Sequence, residues 1–224
     1  MPIIGGTGAL GYGLAQRWAN EGIEVVIGSR SVERAAEAAG RVRTAVPGAR
    51  VEGLVNEEAA LRGSLVFLTV PFRAQSETLN NLRGSLGEGQ VLVDSTVPTA
   101  AAVSGRATRT LGVWQGSAAE QAQEMVPDGV SVVSALHTVS APLLADLDHE
   151  LDEDVLVCGD RRSEKARVAQ LVERIPGLRA VNAGALETAR IVEQLTPMLI
   201  SINSRYKAHA GIRITGIADG DPWS

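Results

Sequence analysis

The chain has 224 residues, 45% of them hydrophobic, with a net charge of −5 and only two Phe and two Tyr. That length can bury one large or two modest cores, but it supplies neither the broad positive surface nor the stacking platform that nucleic acid needs, so no nucleic-acid partner is expected. No apolar run reaches membrane-spanning length, no signal peptide precedes the opening glycines, and the lone Cys158 cannot form an internal disulfide, so the expected setting is cytoplasmic with no membrane partner.

In chain order, Pro2, Ile3 and Ile4 form a short first strand that runs into Gly5-Gly6-Thr7-Gly8-Ala9-Leu10-Gly11. Glycines 6, 8 and 11 have the spacing of a dinucleotide-binding strand-to-helix turn. One shapes the tight turn, one lets the backbone approach a pyrophosphate, and one permits close packing of helix on strand. The helix that follows is predicted from Gly8 or Ala9 to about Asn20, with Leu10, Leu14 and Trp18 on one buried face and Gly22 as its stop. Its N-terminus suits a pyrophosphate, because unpaired N–H groups and the helix dipole favour negative charge there.

The second strand, Ile23 to Ile27, ends in Gly28-Ser29-Arg30. An NAD enzyme places Asp or Glu at this strand end to bind the ribose hydroxyls. Here Ser29 and Arg30 offer a hydroxyl and a guanidinium, and Arg34, at the start of the next helix, can close over the same position. A carboxylate would repel a 2′-phosphate and these residues would attract it, so NADP(H) is the expected cofactor. Read alone, Arg30 is an ordinary solvated strand-end residue. The strand, glycines, helix and second strand in register turn it into a binding residue.

Ser31 is a plausible N-cap for a helix to about Thr44, and Pro47-Gly48 breaks the pattern before a short strand near Val51. The run from Leu65 to Val70 is a nearly all-apolar strand ending at Pro71, as expected of a parallel strand covered on both faces. Val91 to Asp94 is another, leading into Ser95-Thr96-Val97-Pro98, and Ser131 to Ala135 is the next after a loop and helix between Gly105 and Glu124. The acidic stretch Asp146 to Asp154 reads as a solvated loop; its carboxylates lack the spacing of a calcium or zinc site, so no metal is expected. A strand at Val155 to Cys158, a helix from about Glu164 to Arg174, a strand at Leu178 to Val181 and a long helix from Ala185 complete the chain. This order describes an α/β fold, a doubly wound parallel sheet. The crevice beyond its strand ends gathers Thr69, Val70, Pro71 and Phe72, Ser95 to Pro98, and His137 to Ala141. The division expected is a Rossmann domain over 1–135 and a smaller C-terminal part over 136–224.

The chain resembles the NADPH-dependent F420 reductases over nearly its whole length. The residues that carry the resemblance are the glycine turn, Gly28-Ser29-Arg30, Thr69-Val70-Pro71, Ser134-Ala135-Leu136-His137-Thr138, Val157-Cys158-Gly159-Asp160 and the segment from Arg190 to Pro197. The resemblance implies hydride exchange between NADP(H) and the deazaflavin of coenzyme F420, in a homodimer, with the two stacked between the dinucleotide domain and the C-terminal part. It implies that Thr7, Ser29, Arg30 and Arg34 contact the NADP phosphate and ribose, and that Pro71 and Phe72 line the adenosine-to-ribose side. It places His137 and Val139 beside the reacting rings and Ala141 near the nicotinamide carboxamide. Phe72 stands where family members often have Trp, Val139 where they often have Ile, and the first strand is shorter than usual.

Direct hydride transfer needs no nucleophile and no metal, which agrees with the lack of a Ser-His-Asp or two-carboxylate constellation. With an ordinary imidazole value near 6.5, His137 can bond or exchange a proton with the polar edge of the deazaflavin, or merely hold its loop. Arg190, Glu193 and Thr196 recur at about one helical turn; they form either an exposed Arg-Glu pair beside an ordinary Thr or, as the resemblance implies, a face toward the substrate. Arg205, Lys207 and Arg213 suit the coenzyme's acidic tail or are scattered surface charge. Leu186, Ile191, Val192, Leu195, Leu199 and Ile202 surround more of the last helix than one buried stripe needs, so that helix faces either a second subunit as well as its own domain or, kinked at Pro197, its own domain alone. Two further functions share the dinucleotide half: a non-catalytic NADP-sensing module, and a reductase of imines or small carbonyls.

Overall fold

The structure is a computed structural model that describes residues 1–217 and 223. Eight strands form one sheet in the order β3-β2-β1-β4-β5-β6-β7-β8. They are β1 (Pro2–Ile4), β2 (Val25–Ser29), β3 (Val51–Val55), β4 (Leu65–Leu68), β5 (Val91–Asp94), β6 (Ser131–Ser134), β7 (Glu153–Cys158) and β8 (Leu178–Gly184). The central strands are mostly apolar because both of their faces are covered. Ile3, Ile27, Phe67, Val93 and Val133 face one core, and their neighbours Ile4, Val26, Leu68, Leu92 and Val132 face the other, following the two-residue period of a strand.

On the first face lie α1 (Ala9–Asn20), α2 (Val32–Ala45), α6 (Ala141–Ala145) and α7 (Arg162–Val172); on the second lie α3 (Asn56–Ala60), α4 (Phe72–Leu82) and α5 (Ala118–Met125). Trp18 of α1 is wholly buried, with its ring centroid 4.6 Å from that of Phe67 and its Nε1 donating to Leu171 O at 2.8 Å. The largest core side chain therefore leaves no polar atom unpaired. Strand order reverses between β1 and β4, which puts the ligand crevice at their C-terminal ends. Ser31 caps α2 by accepting from Arg34 N at 3.3 Å.

Several expectations need correction. β4 ends at Leu68, so Thr69 and Val70 belong to the crevice loop. β7 runs antiparallel to β6, touching it through the pair Ser134 and Cys158, and is parallel to β8. The link from β6 stays at the C-terminal edge of the sheet, where α6 packs on α1, and then folds back. Arg17 of α1 pins that link, donating to the carbonyls of Leu143 at 2.8 Å, Leu144 at 3.0 Å and His149 at 2.8 Å, and to that of Asp146. The acidic stretch is exposed at 148–150 and at Asp152, but β7 draws Glu153 and Asp154 inside. Asp154 is neutralised there by Arg179, at 2.6 and 2.8 Å, and by Arg213 at 3.3 Å.

The long helix expected from Ala185 is broken. A 3-10 turn at Leu186–Thr188 precedes α8 (Ala189–Val192) and α9 (Leu195–Tyr206). Pro197 falls in the first turn of α9, where a missing N–H costs little, so the break precedes the proline.

Candidate active site

The site is built on the turn from β1 into α1. Gly5 takes the left-handed conformation, with φ at +74°, and a Cβ there would lie 2.6 Å from Val70 Cγ1. The conformational demand thus falls on Gly5, one residue before the first glycine of the spaced motif. Gly6 N–H donates to Gly28 O at 3.0 Å, tying the turn to the end of β2. A Cβ on Gly11 would come 2.7 Å from Gly6 Cα, so α1 meets the turn at backbone contact. Gly8 is the N-cap of α1; no side chain caps it and no acidic residue lies in the first turn, which leaves the helix dipole available to a ligand.

Connected clefts surround this turn. One of about 190 Å³ is lined by Thr7, Gly8, Ser29, Arg30, Arg34, Asn56, Thr69, Val70 and Pro71. A second, of about 380 Å³, shares Gly8 and Thr69 to Pro71 and continues past Ala9, Leu10, Phe72 and Arg73 to Ser95, Thr96 and Val97. A third runs from Thr7 and Ala9 to Tyr12, Arg41 and Ala141. Among the described residues, Arg30 and Arg34 have no carboxylate partner, while the neighbouring Glu33 is engaged by the Ser31 hydroxyl at 2.6 Å. The rim beside Ser29 is therefore positive, and an anion entering it meets charge that no carboxylate among the described residues pairs with.

Asn56 escaped the sequence reading. Its Oδ1 accepts from Gly5 N at 3.4 Å, so the first residue of α3 helps hold the glycine turn. Nothing in the local sequence marks it. Under the second cleft lies a polar network around the fully buried Asp94, which accepts from Gln75 Nε2 at 2.9 Å and Thr96 Oγ1 at 3.0 Å. Burial raises the Asp94 carboxyl to about 7 against these hydrogen bonds. The network fixes Thr96 at the cleft wall, and the neighbouring Ser95 has a buried hydroxyl without a protein partner.

His137 follows Leu136, a non-glycine residue with φ at +69°. Such a conformation costs about 1–3 kcal/mol and persists where the surroundings over-determine it. The His137 ring is buried, with Nε2 3.2 Å from Ser134 Oγ and Nδ1 unpartnered. Burial lowers its value to about 4, so the imidazole is neutral near pH 7 and offers hydrogen bonding in place of a ready proton. Val139 is buried beside it, and Ala141 opens α6 at the edge of the third cleft.

Arg190, Glu193 and Thr196 do not share one helix. Arg190 Nη2 pairs with Glu120 at 2.9 Å. Glu193 is buried, and its two oxygens accept from Ala118 N at 3.0 Å and Ala119 N at 3.1 Å, the first amides of α5. Thr196 Oγ1 donates to His137 O at 2.9 Å. The α8–α9 turn therefore grips the start of α5 with two side chains and the His137 backbone with a third. Burial, with the Asp94 charge adding to it, raises Glu193 to about 8, while the two backbone donors oppose the rise. Of the basic residues considered for an acidic tail, Arg213 is committed to Asp152 and Asp154. Among the described residues, no group of three or more His, Cys, Asp or Glu could hold a metal ion, and no helix is long and apolar enough to cross a membrane.

Residues 1–98 match the family model described as NADP oxidoreductase, coenzyme F420-dependent. The chain is 42% identical over 221 residues to the F420-dependent NADP reductase of Methanothermobacter thermautotrophicus, covering 97% of this chain and 95% of that one. It superposes on the crystal structure of a candidate F420-dependent NADP reductase from Arthrobacter sp. FB24 with a TM-score of 0.77 at 27% identity, over 93% and 95% of the two chains. An imine reductase from Streptomyces aurantiacus shares the fold at 20% identity and a TM-score of 0.60, with 92% of this chain covering only 62% of that longer one. The extent of the reductase match, 42% identity over nearly the whole of both chains, makes this chain a member of the F420-dependent NADP reductase family.

Proposed function

We propose that this protein transfers a hydride between NADP(H) and coenzyme F420. The observation that carries the reading is the end of β2, where Ser29 and the unpaired Arg30 and Arg34 border a cleft that runs over the uncapped start of α1 toward Ser95 to Val97. Full-length kinship to a reductase of that name supports F420 as the substrate. The donor set fits NADP: two guanidinium groups and a hydroxyl suit a 2′-phosphate, and the free amides of α1 suit a pyrophosphate.

When bound, NADP supplies the ring carbon that gives or takes the hydride. The chain's own residues bind, orient and exclude water. Ser29, Arg30 and Arg34 hold the phosphate end, Thr7 to Gly11 the middle, and Thr69 to Phe72 the wall. Val139 and Ala141 pack against the reacting rings, and the neutral His137 offers a hydrogen bond to the polar edge of the substrate. Thr196 acts through the His137 carbonyl, and Arg190 and Glu193 act through α5. The part over 136–224, of which the structure describes residues up to 217 and 223, serves as the smaller part that closes the cleft, and a cytoplasmic setting suits the buried thiol of Cys158, which burial raises to about 12. We also infer a homodimer, since Ile191, Met198 and Ile200 leave an apolar strip exposed on α8 and α9.

The deciding experiment supplies deuterium-labelled NADPH and oxidised F420. Label arriving in the reduced deazaflavin is the expected result. Label passing to an imine or carbonyl acceptor instead, or to none, would replace the reading with a different reductase or a sensing module.

A further inference from the structure

β7 begins where β6 has already ended. Since the two strands meet at Ser134 and Cys158, the opening residues of β7 lie alongside the course of the chain after Ser134, next to the 137–141 segment. The C-terminal run 208–214 covers them there. Asp154 N donates to Ile212 O at 2.6 Å, Ile214 N donates to Asp154 Oδ2 at 2.6 Å, and Arg179 Nη2 donates to Ile214 O at 2.7 Å. Ala210 N donates to Asn203 Oδ1 at 2.7 Å, which anchors the same run to α9.

Beneath this cover sits Glu153, only 4% exposed. A Cβ added to Gly211 would come 2.6 Å from Glu153 Oε2, so the run lies directly on the carboxyl group. The backbone N–H of Ser140 faces the Glu153 carboxyl and favours its charged form, while Oε2 is buried without a partner among the described residues. The Ser140 hydroxyl meets His209 Nδ1 at 3.3 Å. The Ser140 N–H and hydroxyl thus both face this assembly, while its carbonyl accepts from Leu144 N in α6, and its neighbours in sequence are Val139 and Ala141. Burial raises the Glu153 carboxyl to about 7. The position is electrostatically unfavourable, and a neutral residue of similar size would avoid that cost.

We propose that Glu153, sealed beneath Gly211, is a positioning residue that holds the Ser140 backbone and so sets Val139 and Ala141 at the ring-to-ring gap. The inference rests on the placement of Val139 and Ala141 proposed above. It differs from a purely structural role because the effect travels through one backbone amide to the reacting site and leaves the Arg30 end of the cleft alone.

Glu153→Ala removes the acceptor, Glu153→Gln keeps one, and Gly211→Ala pushes the covering run away while leaving Glu153 chemically intact. In the NADP-bound protein, amide exchange at 139–141 should accelerate about tenfold or more in Glu153→Ala, with exchange in β2 and α1 unchanged. In the same variant kcat for hydride transfer should fall about tenfold while the NADP dissociation constant holds, since small displacements near the reacting atoms are costly in rate. Glu153→Gln should recover most of both losses, and Gly211→Ala should follow the alanine variant. Unchanged exchange at 139–141 in Glu153→Ala, or acceleration spread evenly over β7 and β8, overturns the inference. A glutamine variant as impaired as alanine overturns it too. If Glu153→Ala does not fold, the glutamine and Gly211 variants decide by the same readouts. Failure of deuterium to reach F420 in the unaltered protein would defeat the proposed activity, while the exchange measurement would still decide the role of Glu153.

Discussion

In the proposed function, Arg30 concentrates the choice of cofactor in a single side chain. It lines the cleft beside Ser29 and has no carboxylate partner among the described residues. A charge-assisted hydrogen bond contributes about 1.5–3 kcal/mol, so Arg30→Ala should weaken NADP binding roughly ten- to hundredfold and leave NAD binding nearly unchanged. Titration calorimetry with both dinucleotides measures this; equal affinities in the unaltered protein would refute it. At this scale the sequence was legible wherever a residue's role is set by its immediate neighbours. The place of Ser29 and Arg30 at the cleft could be read because they close the strand that follows the glycine turn, and Ser31 because an N-cap acts on an amide three residues away. His137 was readable only by position. Its depressed value arises from burial among residues that no local pattern indicates.

Among the elements, the break between α8 and α9 shows where reading by periodicity fails. Apolar residues from Leu186 to Ile202 continue at helical spacing, yet the chain interrupts the helix around Glu193 and Gln194. The interruption accompanies contacts that local propensity cannot anticipate, since the amides of Ala118 and Ala119 lie more than seventy residues earlier. Glu193→Ala should destabilise the fold by about 1–3 kcal/mol by orphaning those amides. The pH dependence has a definite sign. The Glu193 value is raised from 4.5 to about 8 in the folded chain, so the stability linked to its protonation is full below about 4.5 and is lost as pH rises through about 8. Asp94, raised to about 7, acts in the same direction. Denaturant unfolding should therefore show falling stability from pH 6.5 to 9, with a shallower fall in Glu193→Gln, which cannot ionise. A slope of the opposite sign would contradict the burial argument. By contrast, β1 to β6 were readable as elements because short apolar runs covered on both faces leave little choice but parallel strands.

For the molecule as a whole, the sequence pointed to a doubly wound sheet but not to the reversal at β7, since strand direction depends on where a connection travels. The apolar residues of the last helices divide by direction. Leu186, Val192 and Leu199 pack inward, whereas Ile191, Met198 and Ile200 remain open. Sedimentation over a dilution series should accordingly find a dimer, and Met198→Glu should shift it toward monomer. A wild-type protein that sediments as a monomer throughout, with full activity, would exclude a catalytic need for that face.

The seam between β6 and β7 has a mechanical consequence. A shear load drawing Ser134 away from Cys158 meets a single residue pair where neighbouring strands present a ladder. Beyond that pair the seam is held by packing, since Val133 and Ala135 on one side share a buried cluster with Val155 and Val157 on the other. The sheet's backbone pairing is therefore least continuous at this seam, and side-chain packing carries what the ladder does not.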